Sequence, residues 1–265
     1  MAKKEKISAI VIARNEEGMI ENCLKTLGWV DEIIVVDDES EDKTVEIAKR
    51  FTDKVFVHKK QDFASQRNFG LKKAKGEWVL YVDADERVTP SLRDEIKYQI
   101  LNIKNINAYA IPRKNFWLGK EFKYGGGWTD YVIRLFKKEK LVGWEGIIHE
   151  QPKFEGELGK LKSPLIHLTH RSISQMLLKT LDWSKKEAEL RFEAGHPKVT
   201  WWRFPRVTLT QFWKSFVIQQ VWREGTEGWI EGIFQVFSIF ITYVRLWERQ
   251  KKKLKNSKTP MIKAN

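Results

Sequence analysis

Apolar positions in the first half of the chain come as short runs, each followed by a stretch with helical spacing. Residues 7–13 form a β-branched run. Arg14-Asn15-Glu16-Glu17 then makes a loop leading into a helical pattern through Leu27. Residues 32–36, 54–58 and 78–82 read as three more strands, with a helix over 63–74. Residues 40–44 offer an N-cap before Val45, Ile47 and Ala48, and Thr89-Pro90-Ser91 opens another helix with proline in its first turn. Strands apolar on both faces, alternating with helices, predict an α/β fold: a Rossmann-like, mostly parallel sheet with flanking helices.

The last third changes character. Residues 173–194 read as a helix ended by Gly195-His196-Pro197. In the next segment Leu209, Phe212, Trp213, Phe216, Val217 and Val221 follow the spacing of an apolar helical face. In the final one Glu231, Gln235, Ser238, Thr242 and Arg245 form a narrow polar stripe on an otherwise apolar helix. This predicts a C-terminal amphipathic helical extension, residues 173–265, after a sheet domain over residues 1–172. The longest apolar stretch, 233–244, is interrupted by three polar residues, so no segment is expected to span a bilayer.

Composition refines this picture. The 265 residues carry 48 Lys+Arg and 35 Asp+Glu, a net charge of +13, with 42% hydrophobic residues, as expected of a folded chain. One cysteine, Cys23, excludes a disulfide framework or a cysteine-based zinc site and points to a reducing compartment. The N-terminus has no signal-peptide core, which reads as a cytosolic start. Residues 182–265 hold 16 Lys+Arg against 8 Asp+Glu, and seven of the twelve tryptophans. A basic, Trp-rich extension points to an anionic surface that also offers an apolar layer.

Chemistry gathers at the strand ends. Three strands finish in Arg14-Asn15-Glu16, Asp37-Asp38 and Asp83-Ala84-Asp85, and ligands of such sheets bind at the carboxyl ends of the strands. The glycine-rich signatures of dinucleotide-binding and P-loop domains are absent. Asp83 and Asp85, two apart in extended chain, can face one ligand together. Paired carboxylates suit Mg²⁺ or Mn²⁺ on a diphosphate. One carboxylate of Asp37-Asp38 can accept from a base or ribose, although acidic strand ends also cap helices. Glu16 could equally serve a helix dipole, and Arg14 and Arg67 could be surface cations.

Four segments, 10–17 (IVIARNEE), 35–44 (VVDDESEDKT), 64–70 (ASQRNFG) and 78–86 (WVLYVDADE), together resemble a family 2 glycosyltransferase of the GT-A fold. Residues 126–138, 147–150 and 167–172 are similar to the lipopolysaccharide core β-1,4-glucosyltransferase branch. The resemblance implies an inverting hexosyltransferase using a nucleotide-diphosphate sugar, with a UDP-sugar as first choice. Arg14, Glu16 and Asp38 would contact the nucleotide, Asp83 would sit near the ribose, and Asp85 would be the main metal ligand. Arg67 joins the donor-binding set and Asp83 the metal set.

Direct displacement needs a carboxylate to take the acceptor's proton. Asp130 and Glu150 are the candidates, and chain order favours Glu150. His167 and His170 close an apolar strand, and one of them, with His170 preferred, could complete the metal shell. The expected acceptor is a lipid-linked glycan, and the expected location is cytoplasmic and peripheral on the inner face of the cell membrane. The extension is expected either to meet an anionic membrane or to form a homodimer contact. A polyprenyl-phosphate sugar transferase is the alternative reading. A basic nucleic-acid-binding module fits less well, because acidic strand ends repel phosphates unless metal is present.

Overall fold

The computed structural model describes residues 5–59, 62–103, 105–126, 130–146 and 150–258, with side chains to residue 253. Gly127, Trp128, Thr129, Ile147, Ile148 and His149, within the 126–138 and 147–150 motifs, and residues 259–265 lie outside the described residues. The chain divides into two compact units. One comprises Met1–Phe116 and Thr129–Thr169, the other Trp117–Trp128 and His170–Asn265. The main break thus falls three residues before the predicted boundary, and a short stretch from the first half belongs with the helices.

The first unit begins with β1 (Ile7–Ala13), α1 (Ile20–Lys25), β2 (Glu32–Asp37), α2 (Thr44–Ala48) and β3 (Val55–Val57). α3 (Phe63–Lys73), β4 (Trp78–Asp83), β5 (Glu86–Val88), α4 (Pro90–Asn102) and β6 (Ile106–Trp117) follow. After the short β7 (Lys120–Glu121), the unit continues through β8 (Asp130–Lys137), β9 (Leu141–Glu145), β10 (Gln151–Phe154), β11 (Glu157–Lys160) and β12 (Leu165–Thr169). The main sheet runs β3-β2-β1-β4-β8-β6-β12-β5. β1 pairs in parallel with β2 and β4, and β2 with β3, whereas β8 runs antiparallel to both β4 and β6. β9 and β10 form their own antiparallel pair.

This is the expected mostly parallel sheet, and both faces are covered. Alternate residues of β1 explain how. Ala9, Val11 and Ala13 join the core formed with α1 and α4, while Ile10 joins the opposite core with α3 and β9. Burying Val11 or Ile10 contributes roughly 1.5–3 kcal/mol, and each alanine methyl less. α3 approaches the sheet closely because position 70 is glycine: a Cβ there would lie 2.4 Å from Ile10 Cγ2. Local signals set the helix starts. The Asp62 carboxylate accepts from Ser65 N at the head of α3, and Thr89 Oγ1 accepts from Leu92 N at the head of α4. The start of α2 differs from expectation. Ser40 is drawn back to Asp37, and Asp42 takes the Thr44 amide instead.

The second unit contains α5 (Ile173–Glu193), α6 (Arg203–Phe212) and α7 (Gly225–Lys258). The apolar segment predicted as one helix is interrupted. α6 passes into a π-helical turn over Trp213–Ile218, breaks at Gln220 with φ +52°, and resumes as a 3₁₀ turn over Val221–Glu224. α7 packs against α5 and α6, and Ala188, Val199, Tyr243 and Leu246 form the shared core. Within Val221–Lys253 an 18-residue window reaches a mean hydropathy of 1.3, so the helix is, by length and composition, long and apolar enough to cross a membrane. The sequence expectation of no span rested on the uninterrupted apolar run, and length and composition alone do not make α7 a span.

α7 turns much of its apolar surface outward, although Tyr243 and Leu246 are buried. Glu231 and Thr242, from the polar stripe, are buried, while Trp229, Ile233, Phe237, Phe240 and Trp247 face outward. Hydrogen bonds explain the inward polar face. Glu231 accepts from Gln235 and pairs with His170, and Thr242 donates to the Ser238 carbonyl.

Candidate functional site

The order β3-β2-β1-β4 makes the chain reverse direction across the sheet between β1 and β4, and a ligand crevice opens at the carboxyl ends beside such a reversal. The three polar strand ends of the sequence belong to β1, β2 and β4. After β1 the backbone turns left-handed at Asn15, φ +51°, a conformation asparagine tolerates. The Asn15 side chain accepts from Glu41 N, and its own amide donates to Ser40 Oγ. These bonds tie the β1 and β2 ends together. The Asp38 amide adds a third link by donating to the Ala13 carbonyl at 2.9 Å.

Asp37 and Asp38 have separate tasks. Asp37 is fully buried, and both of its oxygens accept from Ser40, so it shapes the turn. Asp38 pairs with Arg14 at 3.0 Å, and Arg14 itself is largely exposed. Glu16 anchors the same corner: its amide donates to Thr44 Oγ1, and its carbonyl accepts the first amides of α1.

At the end of β4, Asp83 is held by two guanidiniums. Arg67 Nη2, from α3, lies 3.0 Å from Asp83 Oδ1, and Arg134 Nη2, from β8, pairs with Asp83 Oδ2. Burial alone would raise the Asp83 pKa, but Arg134 and Arg67 outweigh it and hold the carboxyl well below the usual range. Glu86, fully buried, accepts from the Asp83 amide at 2.9 Å, and from Arg134 at 3.1 Å and Arg113 at 3.3 Å. Arg113 in turn holds Asp130, with Nε at 2.9 Å.

Arg67 carries the network to Glu150: its Nε and Nη2 both lie 3.2 Å from Glu150 Oε1. Arg67 is only 3% exposed, and its guanidinium lies 4.8 Å over the Trp144 ring. Its Nη1 is buried with no hydrogen-bond partner among the described residues. The structure thus brings Asp83, Arg67 and Glu150 into one cluster and links Asp130 to it through Glu86.

Asp85 has different surroundings. Its Oδ2 lies 3.5 Å from His167 Nε2, and its carbonyl accepts from the Leu168 amide of β12. The other ring nitrogen of His167 is 2.7 Å from Asn115 Oδ1. The Asn115 oxygen orients the ring so that Nε2 is the atom that faces Asp85. His170, the sequence's preferred histidine, lies past the end of β12 in a left-handed conformation, φ +47°, and pairs with Glu231 at 3.0 Å in the helical unit.

A divalent ion can be tested against these residues. Among the described residues no group of three or more His, Cys, Asp or Glu is arranged to hold a metal. The pair Asp85–His167 nevertheless fits an ion that keeps part of its shell for phosphate and water. Asp83 fits poorly, because each of its oxygens is engaged by a guanidinium. Charge balance agrees. Arg67, Arg113 and Arg134 face Asp83, Glu86, Asp130 and Glu150, an excess of carboxylate that disfavours a bare diphosphate.

Arg113, Arg134, Glu86 and Asn115 escaped selection from the sequence as members of the site, and His167 was ranked behind His170. Arg134 and Glu86 stand inside quoted motifs (YVIRLF and VDADE), so they were within reach. Arg113 and Asn115 carry no local signal.

Residues 8–149 match the model of glycosyl transferase family 2, more than half of the chain. The chain belongs to glycosyltransferase family 2. Two curated relatives align along nearly all of this family 2 enzyme. An uncharacterised glycosyltransferase of Rickettsia typhi is 29% identical, covering 92% of this chain and 87% of its own. The lipopolysaccharide core biosynthesis glycosyltransferase LpsC of Rhizobium meliloti is 24% identical, covering 94% of each chain. Among solved structures, the mannosyltransferase PcManGT from Pyrobaculum calidifontis, in complex with GDP-Man and Mn²⁺, superposes with a TM-score of 0.54. It is 13% identical and covers 93% of this chain and 88% of its own. The GT-A fold of the sequence expectation is thus observed, in a glycosyltransferase.

Proposed function

We propose that this glycosyltransferase inverts the anomeric centre of a nucleotide-diphosphate hexose and transfers it to a lipid-anchored glycan. The observation that carries the reading is a pair of carboxylates with different partners: Asp85 beside His167, and Glu150 on Arg67. Arg14 and Asp38 at the β1 and β2 ends are the nucleotide-facing pair, with Glu16 bracing the turn beneath them. Asp83, held ionised by two arginines, positions the turn and faces the ribose.

Asp85 and His167 would hold Mg²⁺ or Mn²⁺. His167 replaces His170 in this role because it lies beside Asp85 and its ring is oriented by Asn115. Such an ion, when bound, neutralises a diphosphate leaving group. The rest of the chemistry belongs to the protein. Glu150 accepts the proton of the acceptor hydroxyl, and Arg67 orients its carboxylate through Oε1, leaving Oε2 to face the acceptor. The buried Nη1 of Arg67 is a further donor for a ligand oxygen. Asp130 is the alternative base: Arg113 engages it through two nitrogens on one oxygen just as Arg67 engages Glu150, and chain order favours Glu150. A lipopolysaccharide-core acceptor is supported by the likeness to LpsC, and a divalent ion by the Mn²⁺ complex of PcManGT.

The test is thermal stabilisation by UDP, GDP, ADP, CDP and CMP, each with and without Mn²⁺. We expect selective, metal-dependent stabilisation by one diphosphate, and its loss in Asp85→Asn. Unchanged binding by that variant would remove Asp85 from the metal site. A polyprenyl-phosphate acceptor would show in the same assay format by transfer to the lipid phosphate in place of a glycan hydroxyl.

A further inference from the structure

The segment from the end of α5 to the start of α7 is unusual in both charge and exposure. Residues 194–223 contain five Lys and Arg and no Asp or Glu. No residue of α6 is buried. Trp201 is 80% exposed, Trp213 60% and Ile218 67%. These residues lie on a folded surface, since Phe216, in the same stretch, is buried and packs its ring 4.9 Å from that of Trp229 on α7. Phe204 of α6 likewise meets Phe240 of α7 at 5.9 Å. The exposed apolar stripe of α7 and that of α6 are therefore joined by ring contacts within one unit.

Cations frame this surface and use its aromatics as supports. Arg203 and Arg206 lie 5.0 and 5.5 Å over the Trp202 ring, and Arg223 lies 5.5 Å over Trp222. Apolar rings with guanidiniums at their edges match an interface whose inner layer is hydrocarbon and whose outer layer is anionic.

We infer that the α6 segment, Trp201 to Ile218, with the outward stripe of α7, is a docking surface for an anionic phospholipid bilayer, entered from one side without crossing it. A second copy of the chain fits less well. A symmetric dimer would set this acid-free cationic patch against itself. A bilayer-spanning α7 also fits less well. Arg191 of α5 bonds Tyr243 of α7, and Arg249 of α7 pairs with Glu189, so charged residues of α5 would accompany α7 into hydrocarbon. The inward Glu231–His170 pair then has a purpose: polar groups are turned into the unit so that the apolar stripe can face out.

This surface deepens the reading of a lipid-anchored acceptor. Its test uses no donor, acceptor or metal, so failure here is distinguishable from failure of the transfer reading. The full chain is floated with phosphatidylcholine vesicles, with and without phosphatidylglycerol. Binding is expected to need phosphatidylglycerol, to fall roughly fivefold for each of Arg206→Gln and Lys214→Gln, and to fall at least about tenfold in Trp213→Ser/Ile218→Ser. These variants replace exposed side chains and should keep the melting temperature and the nucleotide response of the parent. Carbonate washing should release the bound protein.

Four outcomes would overturn the proposal. They are absence of binding to either vesicle, binding unaffected by the substitutions, resistance to carbonate extraction, and a twofold mass in solution that the Trp213→Ser/Ile218→Ser variant halves without altering flotation.

Discussion

The two units use the same residue types in opposite ways. In the sheet unit Trp78 and Trp144 are buried and charged groups are drawn into paired networks. In the helical unit Trp201, Trp213 and Trp229 are exposed, and the ion pairs of α5 and α7 lie largely on the surface. An exposed tryptophan surrenders most of the burial energy that a core one gains, so its retention on a surface points to a partner with an apolar layer. A buried arginine is tolerated only where carboxylates surround it, as around Arg67 and Arg134. Chemistry is therefore sought where charge is inside, and docking where apolar surface is outside.

The sharpest way to break this division is to remove the proposed base. Glu150→Gln keeps the shape of the carboxyl and its contact with Arg67 but removes its basicity. We expect transfer to fall about 10²–10⁴-fold, with nucleotide binding nearly unchanged. If Asp130→Asn produces that result and Glu150→Gln does not, the base is at the start of β8, and Glu150 only neutralises Arg67.

A matched pair of tryptophan truncations measures the contrast between units directly. Trp144 packs edge-on against Tyr81 and Phe136, with ring centroids 5.0 and 5.8 Å away, and supports Arg67. Trp144→Ala should cost about 3–5 kcal/mol and also impair transfer, because Arg67 loses the surface that orients it towards Glu150. Trp213→Ala should stay within about 0.5 kcal/mol, since solvent already reaches most of the side chain. Thermal unfolding of both variants decides the matter. Equal losses would mean that Trp213 is a core residue and that the outward surface is misread.

Sequence and structure agree best where one periodicity has a single physical cause. The buried strands β1, β2 and β4 were legible because a strand covered on both faces must be apolar throughout, and the polar strand ends followed from the same pattern. Thr89 with Pro90 marked α4 for a local reason, as did Ser172 at the head of α5, which accepts from Gln175 N. The site was only half legible. Asp38, Asp83 and Asp85 stand at strand ends, but their division of labour depends on Arg134, His167 and Asn115, which come from β8, β12 and β6. Such partners are set by sheet order, and no local spacing encodes it. The helical unit was legible only in part, for a different reason. Amphipathic spacing identifies two faces of α7 but not which one turns inward, and a bond to His170 settles that for Glu231.

The smallest effect expected lies in the pH dependence of the sheet unit. Glu32, at the start of β2, is partly buried, which by itself would raise its pKa. Bonds from Lys54, Ser8 and the Lys75 amide outweigh this and lower it from 4.5 to about 2. A carboxyl with a depressed pKa in the folded state adds stability above its unfolded pKa and loses it as pH falls towards the folded value. Wild type should therefore exceed Glu32→Gln by on the order of 2–3 kcal/mol at neutral pH. The gap should narrow as pH falls below about 4.5 and close near pH 2. Glu248, on α7, also has a lowered pKa, from its hydrogen bond and charge contact with Lys252, but that pair is open to water. Glu248→Gln should show no measurable gap at any pH, because solvent screens what the sheet unit encloses. Urea unfolding midpoints measured across this range compare the two variants. A gap for Glu32→Gln that stays constant with pH would mean the network supports Glu32 by shape and not by charge.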